Sequence, residues 1–174
     1  IKENPEPIIF KLSCIGQKPE LALDKKEFNF NKVLLHRKDS KEISMENRTL
    51  IPVQWKLEGM DQLGDEFVCN QLCGWIEPRQ SFKLVLSFRA LKPLIITLKE
   101  KKILRLLVSS HNSFLGFMEN HVIPILAEAY DVSLEINLPK GNDGGLDFGN
   151  IRVNSEVKFT CGLKNKGKYP IKFK

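Results

Sequence analysis

The chain has 174 residues, 42% of them apolar and 28% charged, with a net charge of +6. No apolar run approaches the ~18–20 residues of a membrane-spanning helix, and the first twenty positions mix Lys and Glu among the apolar residues, unlike a signal peptide. The positive charge is interleaved with Glu and Asp. Its densest stretch, Lys99–Glu100–Lys101–Lys102 with Arg105, is short. A solvated face therefore outweighs a nucleic-acid or anionic-lipid surface, and no aromatic–basic interleaving of the kind that stacks bases is present.

Taken in chain order, the elements are short and alternate with period two, as half-buried strands do. Ile8 to Ile15 reads as a strand, and Glu20–Leu23 as a second, short one. Ile43 and Met45 point inward while Ser44 and Glu46 point outward. Asn47 to Pro52 is a turn, with Asn favouring turn geometry and Pro setting φ before the next strand. Val53, Trp55 and Leu57 then face inward, with Gln54, Lys56 and Glu58 outward. Gly74 and Pro78 bracket a sharp change of direction around Trp75–Ile76.

Phe82, Leu84, Leu86 and Phe88 share the inward face of a further strand, opposite Lys83, Val85, Ser87 and Arg89. Ile103 to Val108 is a more continuous apolar run than the other strands, which predicts a strand covered on both faces. His121 to Ala129 is another strand, with Pro124 confining it to an edge or a bulge. Gly141 to Gly145 is a loop leading into Leu146–Phe148.

The stretch Phe28 to Lys56 recurs 118 positions later without a gap. Phe30 matches Phe148, Asn47 matches Asn165, Pro52 matches Pro170 and Lys56 matches Lys174. The pairs Val33/Ile151, Met45/Leu163, Val53/Ile171 and Trp55/Phe173 match in character. Self-similarity at fixed spacing marks a tandem array. Ile8–Ile15 likewise resembles His121–Ala129, and each precedes a short strand. The expected division is therefore residues 1–17 as the last strand of a preceding domain, 18–130 as one complete domain, and 131–174 as the first strands of the next. Near-absent linkers imply closely coupled neighbours. The chain reads as a window on a longer array, in which 131–174 cannot complete a sandwich.

Catalytic signals are weak. Asp147–Phe148–Gly149 imitates a kinase metal-binding triplet, but no glycine-rich nucleotide loop, strand lysine or His-Arg-Asp motif precedes it. Asn47–Arg48–Thr49 is formally a glycosylation sequon, yet its repeat partner Asn165–Lys166–Gly167 keeps only the asparagine, so Asn47 reads as a turn residue. His36, His111 and His121 have no metal spacing, and His36 aligns with Asn154. Of the four cysteines, Cys161 aligns with Ile43 and behaves as a small core residue. Cys69 and Cys73 lack the second pair that zinc requires. Cys69 and Cys73 thus read as reduced thiols on or near a strand, and none of the four cysteines, Cys14 included, is a candidate catalytic, cofactor-binding or metal-binding residue.

The conjunction of Phe28-x-Phe30-x-x-Val33, Asn47-x4-Pro52-Val53-x-Trp55, Phe67…Gly74-x-Ile76-x-Pro78 and the alternating strand ending at Phe88 resembles an ASH domain. That family belongs to the major-sperm-protein-like (MSP-like), PapD-like immunoglobulin sandwiches. The stretches Leu126–Asp131, Pro139–Gly149 and Leu163–Tyr169 resemble the ASH domains of giant ciliary proteins. Two departures are local: Ala90 stands where many members carry Pro, and Leu91 to Glu100 is longer than the usual connection. The resemblance implies an all-β fold of tandem immunoglobulin-like (PapD/MSP-like) sandwiches. It further implies a non-enzymatic scaffold of the axonemal central apparatus, needed for ciliary motility and lying in the reducing cytoplasm of the cilium. Expected partners are other axonemal central-apparatus proteins, neighbouring domains of the same chain and microtubules, with no nucleic acid, membrane or cofactor. The alternative it implies is a module of the major-sperm-protein type that recruits a short peptide motif.

Overall fold

The computed structural model describes residues 9–100, 102–110, 116–117, 119–139 and 145–173. The main body is a sandwich of ten strands: β1 (Leu21–Leu23), β2 (Phe28–Leu34), β3 (Asp39–Asn47), β4 (Val53–Glu58), β5 (Phe67–Cys69), β6 (Cys73–Ile76), β7 (Ser81–Phe88), β8 (Leu94–Ile96), β9 (Ile103–Ser110) and β10 (Glu119–Tyr130). One sheet has the order β1-β3-β7-β5. The facing sheet runs β2-β10-β9-β4-β6, with β8 also on β10. Beyond the sandwich, β11 (Leu134–Asn137) pairs antiparallel with β12 (Gly162–Asn165).

The first two strands belong to opposite sheets. β1 runs antiparallel to β3, whereas β2 runs parallel to β10. The crossing is held by Asp24, whose carboxylate accepts from the Ser44 N–H at 2.7 Å while its own N–H donates to the Ser44 carbonyl at 3.1 Å. Within β2 a bulge falls at Asn31: three steps on β2 (Asn29 to Lys32) oppose two on β10 (Leu126 to Glu128). Asn31 takes a left-handed φ of 49° there, and its N–H is received by the Asn29 side chain at 2.9 Å. Asn tolerates this conformation because its short polar side chain bonds locally.

Alternation places the core as expected. Ile43, Met45, Val53, Trp55, Leu57, Leu84, Leu86 and Phe88 are all buried between the sheets. Phe67 stacks on Phe88 with centroids 4.6 Å apart, and Phe30 meets the same ring at 5.3 Å. Such aromatic contacts add ~0.5–1.5 kcal/mol each beyond the area buried.

Residues 9–20 pair with no strand among the described residues, and Ile9, Phe10, Leu12 and Ile15 are exposed; a strand needs a neighbouring ladder, and none of the described residues supplies one. Three sequence expectations are corrected. Gly74–Ile76 is not a change of direction but part of β6, with Gly74 opposite Trp55. A Cβ on Gly74 would sit 3.2 Å from the Trp55 indole nitrogen, so the glycine makes room for a buried indole rather than a turn. The turn comes later, where Arg79 takes φ 63° and the Gln80 N–H returns to the Glu77 carbonyl.

Ile103 to Val108 is covered on one face only. Leu104, Leu106 and Val108 are buried, but Arg105 on the outer face is exposed and Ile103 and Leu107 are half-buried. Finally, Pro124 lies on an inner strand. β10 pairs with β9 up to Pro124 and with β2 from Ile125 onward, so the residue without an N–H sits where the strand exchanges partners. The long connection Leu91 to Glu100 is used by β8, and the Ala90 carbonyl receives the His36 N–H at 2.9 Å. The expected loop at 141–145 lies outside the described residues except for Gly145.

The 118-residue echo extends to backbone geometry. The Asn31 N–H bond to Asn29 is matched by the Gly149 N–H bond to Asp147 at 2.8 Å, and Gly149 is also left-handed at φ 59°. The Arg37-to-Leu34 turn is matched by Ser155 to Arg152, with His36 and Asn154 at φ 64° and 63°. β11 and β12 repeat β1 and β3: Leu21 opposes Asn47 and Leu134 opposes Asn165. What differs is burial. Phe30 and Trp55 are 2% and 0% exposed, but their counterparts Phe148 and Phe173 are 44% and 72% exposed.

Candidate functional site

The residues that sequence reasoning singled out stay apart. Cys69 and Cys73 lie on strands of different sheets, and all four cysteines are free thiols. Cys69 donates to the Gln71 carbonyl at 3.2 Å, while burial pushes its thiol pKa up. Among the described residues no group of three or more His, Cys, Asp and Glu converges on a point. Asp147–Phe148–Gly149 is the repeat image of Asn29–Phe30–Asn31, a bulge element that carries an aromatic core position.

Asn47 is wholly buried, and its side-chain nitrogen donates to the carbonyls of Ile51 (2.8 Å) and Ile76 (2.9 Å). Its oxygen accepts from the Thr49 N–H and hydroxyl. Both amide protons are thereby used, so the sequon is closed in the folded domain.

The basic stretch does not form one patch. Lys99 is exposed on a short helical turn (Leu98–Glu100), but Lys102 bends back to the Leu63 carbonyl at 3.1 Å. Arg105 faces Glu58 across the β4–β9 ladder, and both line a hollow of ≈ 530 Å³ with Asp61 and Met60. Lys101 and His111 lie outside the described residues. On both sheets, lysines sit beside acids: Lys83 with Glu42 at 3.2 Å, and Lys56 with Glu58 at 2.8 Å.

A convergent cluster does occur where the sandwich meets the segment that follows it. β10 ends by pointing Glu128 and Tyr130 outward, and Lys32 lies opposite Glu128 on β2. The turn after β12 brings Lys168 and Tyr169 onto this surface. The Lys168 ammonium and the Tyr169 hydroxyl both donate to the Glu128 carboxylate. The rings of Tyr130 and Tyr169 meet edge-to-face at 4.7 Å, and the Lys32 nitrogen stands 4.1 Å above the Tyr169 ring. Exposed cation–π contacts of this kind contribute roughly 0.5–1 kcal/mol.

Asn165 fixes the turn, donating to the Tyr169 carbonyl at 2.8 Å. The Lys168 and then the Tyr169 hydrogen bonds hold the Glu128 carboxyl below its ordinary pKa, and Glu128 in return raises that of Lys168. Sequence reasoning missed this cluster. One signal for it was available: the chain has only two tyrosines, and both are here.

Along 99% of its length the chain is 44% identical to the human hydrocephalus-inducing protein homolog, and 43% identical to the mouse hydrocephalus-inducing protein. It is similar to one segment of the hydrocephalus-inducing protein. The segment is small, since the chain spans about 3% of the length of either relative. No protein-family model matches. The fold is that of PapD-like domains: an ASH/PapD-like domain of human CEP192 (PapD-like domain 7) aligns with a TM-score of 0.54 at 14% identity, covering 74% of this chain and all of that one. No helix among the described residues is long and apolar enough to cross a membrane.

The likeness to the hydrocephalus-inducing protein spans the sandwich, the Glu128 cluster and the β11–β12 pair alike. Chemically the cluster is a clamp. It joins β10, the last strand of the sandwich, to the turn after β12. The short outer strands β5 and β6 each pair on one side only among the described residues, and exposed Val68 and Trp75 lie along them. Such edges accept a strand from another chain.

Proposed function

We propose that the chain is a non-enzymatic scaffold segment of the ciliary axoneme central apparatus, needed for ciliary motility and acting through protein–protein contacts of tandem immunoglobulin-like domains. In this reading residues 18–130 are a complete unit, 1–17 close the unit before it and 131–174 open the next. Clamps such as the one at Glu128 set each unit against its neighbour. Faces and edges then meet other central-apparatus proteins and microtubules. Many weak contacts along one array add up by effective concentration, so no deep pocket is needed.

The observation that carries this reading is the 44% identity to the hydrocephalus-inducing protein homolog, which extends over 173 residues and so across the clamp. The dispersed ion pairs also favour it over recruitment of a peptide motif, for which a concave basic groove would be needed; the Arg105 hollow is lined by Glu58 and Asp61 as well. Free thiols suit a reducing compartment. Cross-linking mass spectrometry on intact axonemes tests it. Links from exposed lysines such as Lys25 and Lys83 to central-apparatus proteins are expected. Links solely to proteins outside the axoneme would overturn it.

A further inference from the structure

The clamp at Glu128 has a counterpart at the other end of the sandwich, with Glu128, Lys168 and Tyr169 replaced by aliphatic residues. Two spacings locate it. Leu21 and Leu134 occupy the same place in their ladders and lie 113 residues apart. Carried back along the chain, this spacing sets Phe10, Leu12, Cys14 and Gly16 on the buried positions Ile123, Ile125, Ala127 and Ala129 of β10. Two large residues followed by two small ones recur in the same order. The outward positions Glu128 and Tyr130 then correspond to Ile15 and Gln17. In the turn, the 118-residue spacing sets Leu50 and Ile51 on Lys168 and Tyr169.

One bond of this second clamp is already made: the Leu50 N–H donates to the Gln17 side-chain oxygen at 2.6 Å. Gln17 thus reaches the turn after β3, just as Tyr130 reaches the turn after β12. Ile15 and Leu50 are meanwhile 80% and 57% exposed. A lone Glu-to-Ile exchange would strand a lysine, and a lone Lys-to-Leu exchange would strand an acid. Here both partners and the tyrosine change together, which keeps the clamp self-consistent as an apolar one.

We propose that residues 9–17 form the last strand of a preceding β-sandwich, and that Ile15 seats on Leu50 and Ile51 as an apolar clamp. The occupant of the exposed Leu50 surface is thus the unit immediately before it in the same chain. The two ends of this unit are held by different forces. The Ile15 clamp is indifferent to salt and to carboxylate titration, whereas the Glu128 clamp weakens with both. This rests on the tandem reading given under Proposed function.

The test uses the full-length protein with Ile15→Cys and Leu50→Cys introduced on a Cys14→Ser background. After mild oxidation, mass spectrometry reads the disulfide-linked peptide joining positions 15 and 50, alongside hydrogen exchange at residues 10–16. The proposal expects a linked yield severalfold above that of a Leu12→Cys/Leu50→Cys control, whose first thiol faces the opposite side of the strand. It also expects the same yield at low and high salt, with slow exchange at residues 10–16. Slow exchange with a yield no greater than the control overturns the clamp and leaves the strand reading standing. Fast exchange across residues 10–16 overturns the tandem reading at this end, and the clamp with it.

Discussion

Asn47 and Asn165 make the same two hydrogen bonds at positions 118 residues apart. In each, the side-chain oxygen receives the N–H two residues on (Thr49, Gly167), and the nitrogen donates to the carbonyl four residues on (Ile51, Tyr169). The asparagine thus closes the turn whether or not a core surrounds it. Asn47 also donates to the Ile76 carbonyl of β6, which ties the turn into the sandwich.

That difference separates two substitutions. Asn47→Ala leaves the buried Ile76 carbonyl without its partner and frees the turn, for a loss of roughly 3 kcal/mol in urea unfolding. Asn165→Ala, at an exposed turn, leaves the same main transition within about 0.5 kcal/mol of the parent. Equal losses from the two would mean that the second turn is as deeply built in as the first.

Gly59 precedes a helical turn with φ 99°, and a Cβ there would lie 2.7 Å from the Ile103 carbonyl oxygen. The left-handed penalty alone is about 1–2 kcal/mol, and the opposing atom is backbone of β9, which cannot rotate away. Gly59→Ala is expected to lower the unfolding midpoint clearly. Gly16→Ala, with nothing within 4 Å of the added methyl, should leave it unchanged.

The Glu128 clamp carries a defined pH window. Its carboxyl pKa is lowered on folding, chiefly by Lys168 and then Tyr169. That contribution is complete above the ordinary carboxylate range and is lost as pH falls through the lowered value. The Lys168 pKa is raised by Glu128, so its contribution is complete below the ordinary lysine value and is lost as pH rises through the raised one. The ring-current-shifted NMR signals of Tyr130 and Tyr169 should hold steady between those limits and collapse towards free-tyrosine values on acidification. Glu128→Gln should show the collapsed signals at neutral pH.

Thiol reactivity follows exposure and burial. Cys14 and Cys73 are exposed, whereas Cys69 is partly covered, donates to the Gln71 carbonyl and has a raised pKa. Iodoacetamide at mildly alkaline pH should label Cys73 first and Cys69 last. Urea should abolish the difference. Cys69 labelling as fast as Cys73 in the native protein would contradict the placement of β5.

Period-two alternation was enough to orient β3, β4 and β7, because each has one face on the core and one on water. It failed for β9, where Ile103 and Leu107 are apolar yet only half-buried beside exposed Arg105: apolar composition does not say which face is covered. Pro124 and Gly74 misled for a related reason. A missing N–H is tolerated inside a sheet where the strand changes partners, and a glycine inside a strand makes room for the Trp55 ring opposite. Both depend on what lies across the ladder, which local sequence does not record. The Glu128 cluster was hidden similarly, since its members come from β2, β10 and a turn 40 residues on from Glu128.

On the proposed tandem arrangement, a finished sandwich ends at Tyr130 and the following residues begin another. Limited proteolysis of the 174-residue chain, with fragment masses read over time, tests it most directly. Early cuts are expected within 145–161, where no strand forms, together with a lasting fragment that begins before Leu21 and ends shortly after Tyr130. Protection of 145–173 equal to that of the sandwich would contradict it.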